Sequence, residues 1–457
     1  MPLFIRRSPM PVSARALFDW HEREGAFERL TPGWQQTRVV SKTGGITDGS
    51  RVEVEVPLLG GIIHQRMLME HRNYVAGSQF TDAMIEGPFS TWVHTHTMEP
   101  VADGTSILED RLKYALPLGE LGNLAAGWFV RQQLEQLFDF RHARTRADLE
   151  LHMTHANAPR LTVAITGGTG LIGRALTGLL RTGGHTVRWI TREPHTDRGD
   201  IGWAPSAGTL DTASLAGVDA VVHLAGANVG ERWTPEHKRA IMDSRVQGTR
   251  TLVRALCAMP VPPRVLISGS AIGYYGDTGS TMLDEASPRG DGFLADVSRD
   301  WEGHTAPAEQ AGIRVAIART GVVLTPTGGA LAKMLPAFQL GIGGPLGSGR
   351  QWMSWISLDD EIAALYFLLM NETCNGPFNL TAPNPVPNAD FGHTLGKVLN
   401  RPAFLPVPAF ALTALFGEMA GATILGGQRV LPTRLQQAGF QFRQPELEGA
   451  LRFELGR

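Results

Sequence analysis

The chain is poor in cysteine: of its 457 residues only Cys257 and Cys374 are cysteines. A disulfide framework is therefore not expected, and a reducing compartment fits best. It also lacks an excess of one charge, with 42 basic residues against 44 acidic ones and a net charge of −2. That removes the general electrostatic reason to expect nucleic acid or an anionic membrane as partner. Long hydrophobic runs are missing too. The stretches Ile362–Met370 and Ala409–Phe416 are too short to span a bilayer. Met1–Met10 carries Arg6 and Arg7 but no apolar core after them, so no signal peptide is expected. These absences point to a soluble, cytoplasmic protein. Tyrosine is scarce as well: Tyr74, Tyr114, Tyr274, Tyr275 and Tyr366 are the five, and none is followed by lysine four residues later. What is present is 43% hydrophobic and 19% charged residues, the composition of a globular chain. Its length calls for two or three domains.

Residues 1–153 read as an α+β domain. Leu3–Arg7 is a candidate strand, and Val12–Glu24 a helix with Ser13 as its N-cap. Strand-like runs follow at Thr37–Lys42, Arg51–Pro57, Gly61–Arg72, Phe80–Ile85, Thr91–Met98 and Ser106–Tyr114, with Gly, Asp and Pro between them. An amphipathic helix over Leu121–Arg146 is expected to bury Leu124, Trp128, Phe129, Leu134, Leu137 and Phe138. This order resembles the helix-grip fold of the START/polyketide-cyclase-like superfamily, and the resemblance implies a cavity for a hydrophobic small ligand. His94 and His96 share one face of a strand and are metal-ligand candidates only with a third group. No cysteine is nearby and Glu99 is the only close carboxylate, so they read as polar residues on the wet face, and no metal is expected. The basic run Arg141–Arg146 closes a helix, where it suits the C-terminal dipole.

A linker at Thr154–Arg160 leads to a second domain, taken as 160–400. It opens with a strand, Val163–Thr166, and the turn Gly167-Gly168-Thr169-Gly170-Leu171-Ile172-Gly173. Gly167, Gly170 and Gly173 make a GxxGxxG pattern ahead of the helix Gly170–Thr182. Such a turn lets backbone approach a pyrophosphate, with the helix N-terminus behind it. Strands are expected at Thr186–Thr191, Val218–Ala227, Arg264–Ser268 and Arg314–Arg319. Helices are expected at Pro235–Met259, capped by Thr234, and at Gly292–Ala311, with Cys257 inside the core. This alternation indicates a Rossmann-type doubly wound parallel α/β sheet. The second strand ends in Thr191-Arg192, with Arg188 before and Glu193 after. An arginine there accommodates the 2′-phosphate of NADP(H) where a carboxylate would bind the ribose of NAD. The cofactor contacts expected are Gly167, Thr169, Gly170, Leu171, Ile172, Gly173, Arg192, Leu224, Ala225 and Gly226.

The glycine turn, His223-Leu224-Ala225-Gly226, Ser268-Gly269-Ser270 and Asp360 after Trp355-Ile356-Ser357 resemble the extended short-chain dehydrogenases/reductases. Arg232-Trp233-Thr234, Ser244-Arg245-Val246, Gly273-Tyr274-Tyr275-Gly276-Asp277, Trp301-Glu302 and Gly343–Trp352 narrow the likeness to the atypical epimerase family, the predicted nucleoside-diphosphate-sugar epimerase group. Residues 401–457 are similar to that group's small C-terminal domain.

The resemblance implies a Tyr-x-x-x-Lys pair for proton transfer beside the nicotinamide, yet Phe293 and Val297 stand at the matching positions. Ser270, where the family polarises its substrate, and Tyr275, on the loop after it, are the candidate catalytic groups. Tyr274 next to it, Asp296, Asp300, Lys238, Arg245, Arg350, Gln351, Trp352 and Trp355 are weaker candidates, with Trp355 favoured as core. The helix Ala409–Ala420 is apolar on several sides and should pack inside the C-terminal lobe or at a subunit interface. The leading reading is an NADP(H)-binding oxidoreductase or epimerase-like protein with a small-molecule substrate. A nucleotide-sugar epimerase with a substituted acid/base and a non-catalytic NADPH sensor are the alternatives, and a homodimer follows by analogy alone.

Overall fold

The computed structural model describes residues 2–58, 63–117 and 119–457. Two compact units divide the chain, built chiefly on residues 1–158 and 159–455.

The first unit runs β1 (Leu3–Met10), α1 (Ala14–Glu22), α2 (Ala26–Leu30), β2 (Arg38–Thr43), β3 (Arg51–Leu58), β4 (Ile63–Val75), β5 (Gln79–Glu86), β6 (Thr91–Pro100), β7 (Ser106–Ala115) and α3 (Glu120–Met153). The expected strand start at Gly61 lies outside the described residues. The strands form one sheet in the order β1-β7-β6-β5-β4-β3-β2, each pair antiparallel. Ser13 caps α1, its Oγ accepting from the Ala16 N–H at 3.3 Å, and α1 buries Leu17, Phe18 and Trp20. Alternation along β7 sends Leu108, Asp110, Leu112 and Tyr114 inward.

Three expectations fail here. The run Arg141–Arg146 does not close its helix, because α3 continues to Met153, and His142, Arg144 and Thr145 within the run are buried. α3 buries Leu134, Leu137 and Phe138, but Leu124, Trp128 and Phe129 are 84%, 70% and 52% exposed. Helical periodicity tells which residues share a face; it does not tell whether anything lies opposite that face. His94 and His96 do not lie on a wet face: both are buried. Neighbouring strands supply carboxylates at their level, as described below.

The second unit begins with β8 (Thr162–Thr166), α4 (Leu171–Thr182), β9 (Thr186–Thr191), β10 (Ile201–Ala204), β11 (Thr209–Leu210), β12 (Ala220–His223), α5 (Pro235–Cys257) and β13 (Val265–Ala271). It continues through β14 (Met282–Leu283), α6 (Phe293–Gly303), α7 (Ala306–Gln310), β15 (Arg314–Thr320), β16 (Val322–Leu324), α8 (Gly329–Gln339), β17 (Trp352–Met353), β18 (Trp355–Ser357), α9 (Leu358–Met370) and β19 (Gly376–Leu380). Then come β20 (Val386–Pro387), α10 (Asn388–Leu399) and α11 (Ala409–Phe416). The main sheet has the order β11-β10-β9-β8-β12-β13-β15-β19. It is parallel except for β11, and strand order reverses between β8 and β12. Its buried core gathers Ala164, Val221, Leu266 and Val315 from the strands and Leu252 and Leu256 from α5, as in a sheet of continuous apolar strands covered by helices.

The expected helix Gly292–Ala311 is broken between Gly303 and Ala306, just ahead of Pro307, whose ring and missing N–H do not fit a continuing helix. Cys257 is exposed rather than core, because the last turn of α5 turns Val253 and Leu256 to the core and leaves Cys257 outside it. α11 leaves Phe410 and Leu415 exposed, buries Leu412 and packs Phe416 against the cluster of Trp233, Ile241, Val297 and Met419, so only part of its apolar surface packs inside. Among the described residues no helix is long and apolar enough to cross a membrane.

Candidate functional site

Between β8 and α4 the chain reverses on glycine. Gly167 has φ of +70°, and a Cβ there would stand 2.9 Å from the Leu224 carbonyl carbon. A Cβ at Gly173 would stand 2.3 Å from the Gly167 carbonyl oxygen. Neither position admits a side chain, because the turn is packed against the end of β12 and against the first turn of α4. The Gly170 N–H donates to the Gly167 carbonyl at 2.9 Å, closing the turn. Thr169 and Gly170 are exposed, and Leu171 and Ile172 half-buried. A backbone surface at the start of a twelve-residue helix is thus left uncovered by side chains. This is the cradle a pyrophosphate requires.

Sequence reasoning missed what holds the cradle in register. Thr166, the last residue of β8, accepts at Oγ1 from the Leu224 and Ala225 N–H groups, both at 3.1 Å. The same hydroxyl meets His223 Nδ1 at 2.7 Å, and His223 Nε2 meets Thr249 Oγ1 at 3.0 Å. Burial pushes His223 down to about 4, with Arg245 adding to the effect, so a neutral ring bridges two threonines. The Leu224–Gly226 segment is thereby fixed beside the glycine turn at the point where strand order reverses, the usual ligand crevice of such sheets. The HLAG run marked the place, but Thr166 is local sequence with no signal of its own.

Arg192 lies exposed just past β9, and among the described residues no carboxylate is within ion-pair distance of it. Arg188, by contrast, donates from Nε to the Gly199 carbonyl at 2.9 Å. Arg245 donates to the Ala227 and Ile241 carbonyls at 3.2 and 3.1 Å and lies 4.9 Å from the Trp301 ring centroid. Burial lowers it to about 10. Lys238 is paired with Glu418 at 2.8 Å and stands 4.6 Å from the Phe293 ring centroid. Val297 is buried in a cluster with Trp233, Ile241 and Met419. The face of α6 that the sequence flagged is therefore apolar.

Ser270 and Tyr275 fall into one buried network that the sequence did not reveal. Ser270 Oγ donates to Glu302 Oε1 at 2.6 Å. Arg319, on β15, grips the same carboxylate through Nε and Nη2, both at 2.8 Å. Its Nη1 donates to the Tyr275 hydroxyl at 2.9 Å, and that hydroxyl donates to Asn379 Oδ1 at 2.8 Å. Burial pushes the Tyr275 phenol up to about 12, against the lowering effect of Arg319. Tyr274 carries the Arg319 guanidinium 3.6 Å from its ring centroid. The network ties α6 to β13, β15 and β19, whose strands pair side by side. Both candidate hydroxyls make their hydrogen bonds within the protein. Asp296 pairs with Arg289 and Arg299, and Asp300 with Arg299. Gln351 spends its amide on the Leu346 and Ile424 carbonyls, at 2.9 and 3.0 Å, Trp352 lies under Arg429, Trp355 is buried and Arg350 is exposed.

Comparison with known proteins places this geometry. Residues 163–380 match the NAD dependent epimerase/dehydratase family, and residues 407–454 match a domain of unknown function, DUF1731. An epimerase family protein of Mycobacterium bovis is 46% identical over 296 residues, covering 65% of this chain and 98% of that protein. The crystal structure of a nucleoside-diphosphate sugar epimerase from Corynebacterium glutamicum is 33% identical, with a TM-score of 0.79 over 99% of this chain and 90% of that one. Human epimerase family protein SDR39U1, solved with NADPH, is 35% identical, with a TM-score of 0.58 over 65% of this chain and 99% of that one. The chain belongs to the epimerase family.

Proposed function

We propose that this epimerase-family chain binds NADP(H) at the β8–β12 crevice and acts on a small-molecule substrate as an atypical extended short-chain dehydrogenase/reductase. The observation that carries the reading is the cradle at Gly167 and Gly173, where an added Cβ would meet backbone at 2.9 and 2.3 Å. Gly167, Thr169, Gly170, Leu171, Ile172 and Gly173 would hold the pyrophosphate, Leu224, Ala225 and Gly226 the opposite side of the crevice, and Arg192 the 2′-phosphate. The human relative solved with NADPH supports that preference. When bound, the cofactor supplies hydride transfer. On this reading Ser270 polarises the substrate and Tyr275 holds the proton. Glu302, Arg319 and Asn379 must then yield hydrogen bonds they now share with those hydroxyls. Ser270→Ala and Tyr275→Phe should each lower turnover at least about 100-fold while NADPH affinity stays the same. Full activity in both variants overturns these two roles.

A second reading has its own support. Phe293 and Val297 replace the usual proton-transfer pair, and the Tyr275 phenol is sealed from solvent. A non-catalytic NADPH-binding protein would show tight cofactor binding and no redox cycling. A nucleotide-sugar epimerase with a substituted acid/base would instead turn over a sugar nucleotide. For the first unit we propose the helix-grip fold with a hydrophobic ligand, supported by its strand order and the exposed Trp128 and Phe129. A cytoplasmic homodimer is the assembly proposed.

A further inference from the structure

The interior of the first unit holds polar groups that the cofactor site does not use. Antiparallel register sets His71, Asp82 and His94 side by side across β4, β5 and β6. One row further, His96 on β6 faces Asp110 on β7. His142 reaches the cluster from α3. His94, His96, Asp110 and His142 are each at least nine-tenths buried.

The atoms converge in an ordered way. Asp82 Oδ2 lies 3.1 Å from His96 Nε2 and 3.8 Å from His94 Nδ1. One oxygen and two ring nitrogens thus lie within 4.8 Å of one another. Bonds of about 2.0–2.2 Å to one ion leave neighbouring ligand atoms roughly 3.0–3.6 Å apart, so on metal binding these atoms would draw together by no more than roughly 1–2 Å. The remaining nitrogens of both rings turn to one atom, Asp110 Oδ1, with His94 Nε2 at 2.8 Å and His96 Nδ1 at 2.6 Å. Asp110 Oδ2 is in turn held by His142 Nε2 at 2.6 Å, and His71 Nε2 lies 3.0 Å from Asp82 Oδ1. A carboxylate behind each ligating imidazole is the arrangement that fixes tautomer and ring orientation at metal centres. His21 stands apart: its Nδ1 meets the Leu17 carbonyl at 2.9 Å.

One further fact agrees. His96 Nδ1 and Asp82 Oδ1 are buried with close polar neighbours, but among the described residues neither has a hydrogen bond of good geometry, a costly arrangement unless something else engages these side chains.

We infer that Asp82, His94 and His96 bind one divalent transition-metal ion, with Asp110 and His142 as positioning residues behind the ligands. Two imidazoles and one carboxylate suit Zn²⁺, Fe²⁺ or Co²⁺ rather than Ca²⁺ or Mg²⁺.

The test uses the full-length protein, stripped with chelator and titrated with Co²⁺, then separately with Zn²⁺. One equivalent of Co²⁺ should be retained through gel filtration, with visible d–d absorption typical of a low-symmetry nitrogen–oxygen site, and excess Zn²⁺ should bleach that absorption. The variant carrying both His94→Gln and His96→Gln should retain less than about a tenth of an equivalent, while Glu99→Gln, outside the cluster, retains the full amount. Circular dichroism shows whether each variant folds. The wild-type spectrum decides the matter without any variant: no retained Co²⁺ and no d–d bands would overturn the proposal. So would undiminished retention in a folded double variant, and the cluster would then be a proton-sharing ion network alone.

Discussion

In the second unit Arg319 meets Glu302 through two hydrogen bonds of 2.8 Å and passes a third to Tyr275, so that every polar atom named in the network has a protein partner. In the first unit Asp82 and Asp110 face imidazoles instead, and among the described residues His96 Nδ1, His142 Nδ1 and Asp82 Oδ1 have no hydrogen-bond partner of good geometry. Both assemblies are buried, but they differ in the cation used. A guanidinium is planar, permanently charged and cannot coordinate a metal, so it freezes geometry. An imidazole gains or loses its proton near neutrality and carries a lone pair, so it keeps the capacity to bind something else. The arginine network is built to hold the sheet's edge in place, and the histidine cluster is built to receive.

The largest break in this comparison is Arg319→Met. It leaves Glu302 buried without its cation, and the second unit should lose about 3–5 kcal/mol, read as a lower denaturant midpoint at unchanged slope. A loss under about 1 kcal/mol would mean the network is not what holds these strands.

A smaller effect sharpens the contrast at a carboxylate that pairs with no cation among the described residues. Glu361 is fully buried on α9 and accepts from Thr320 Oγ1 at 2.8 Å, and among the described residues its Oε2 has no partner. Burial pushes it up to about 8. The folded pKa therefore lies above the unfolded one, and the folded state holds the extra proton. Its contribution is intact below the unfolded carboxylate pKa and is lost as pH rises through about 8. Glu361→Gln should flatten that decline and raise stability at pH 9 by something on the order of 2 kcal/mol. Equal pH slopes in the two proteins would contradict the assignment.

How much was legible in the sequence follows from how local each feature is. The glycine turn, the strand Thr186–Thr191 and the caps Ser13 and Thr234 are written in contiguous residues, and the structure places them where the pattern did. The histidine cluster is not local. Only His94 and His96 sit together in sequence, while Asp82, Asp110 and His142 arrive from two other strands and a helix whose register the sequence does not carry. One signal was available: Asp110 occupies an inward position between Leu108 and Leu112, so a charge was due inside the sheet. Glu302 and Arg319 were hidden in the same way, separated by seventeen residues and joined only once α6 packs on β13. The exposed Trp128 shows the converse, a face defined by periodicity that no other described element covers.

The central claim is that the turn at Gly167–Gly173 holds a dinucleotide. Titration calorimetry of the full-length protein with NADPH and with NADH, set beside Gly173→Val and Arg192→Glu, tests it most directly. The account predicts one NADPH site, at least about tenfold tighter than NADH in the wild type, with that preference lost in Arg192→Glu and both cofactors rejected by folded Gly173→Val. Absence of NADPH binding in the wild type, or undiminished binding in Gly173→Val, would contradict it.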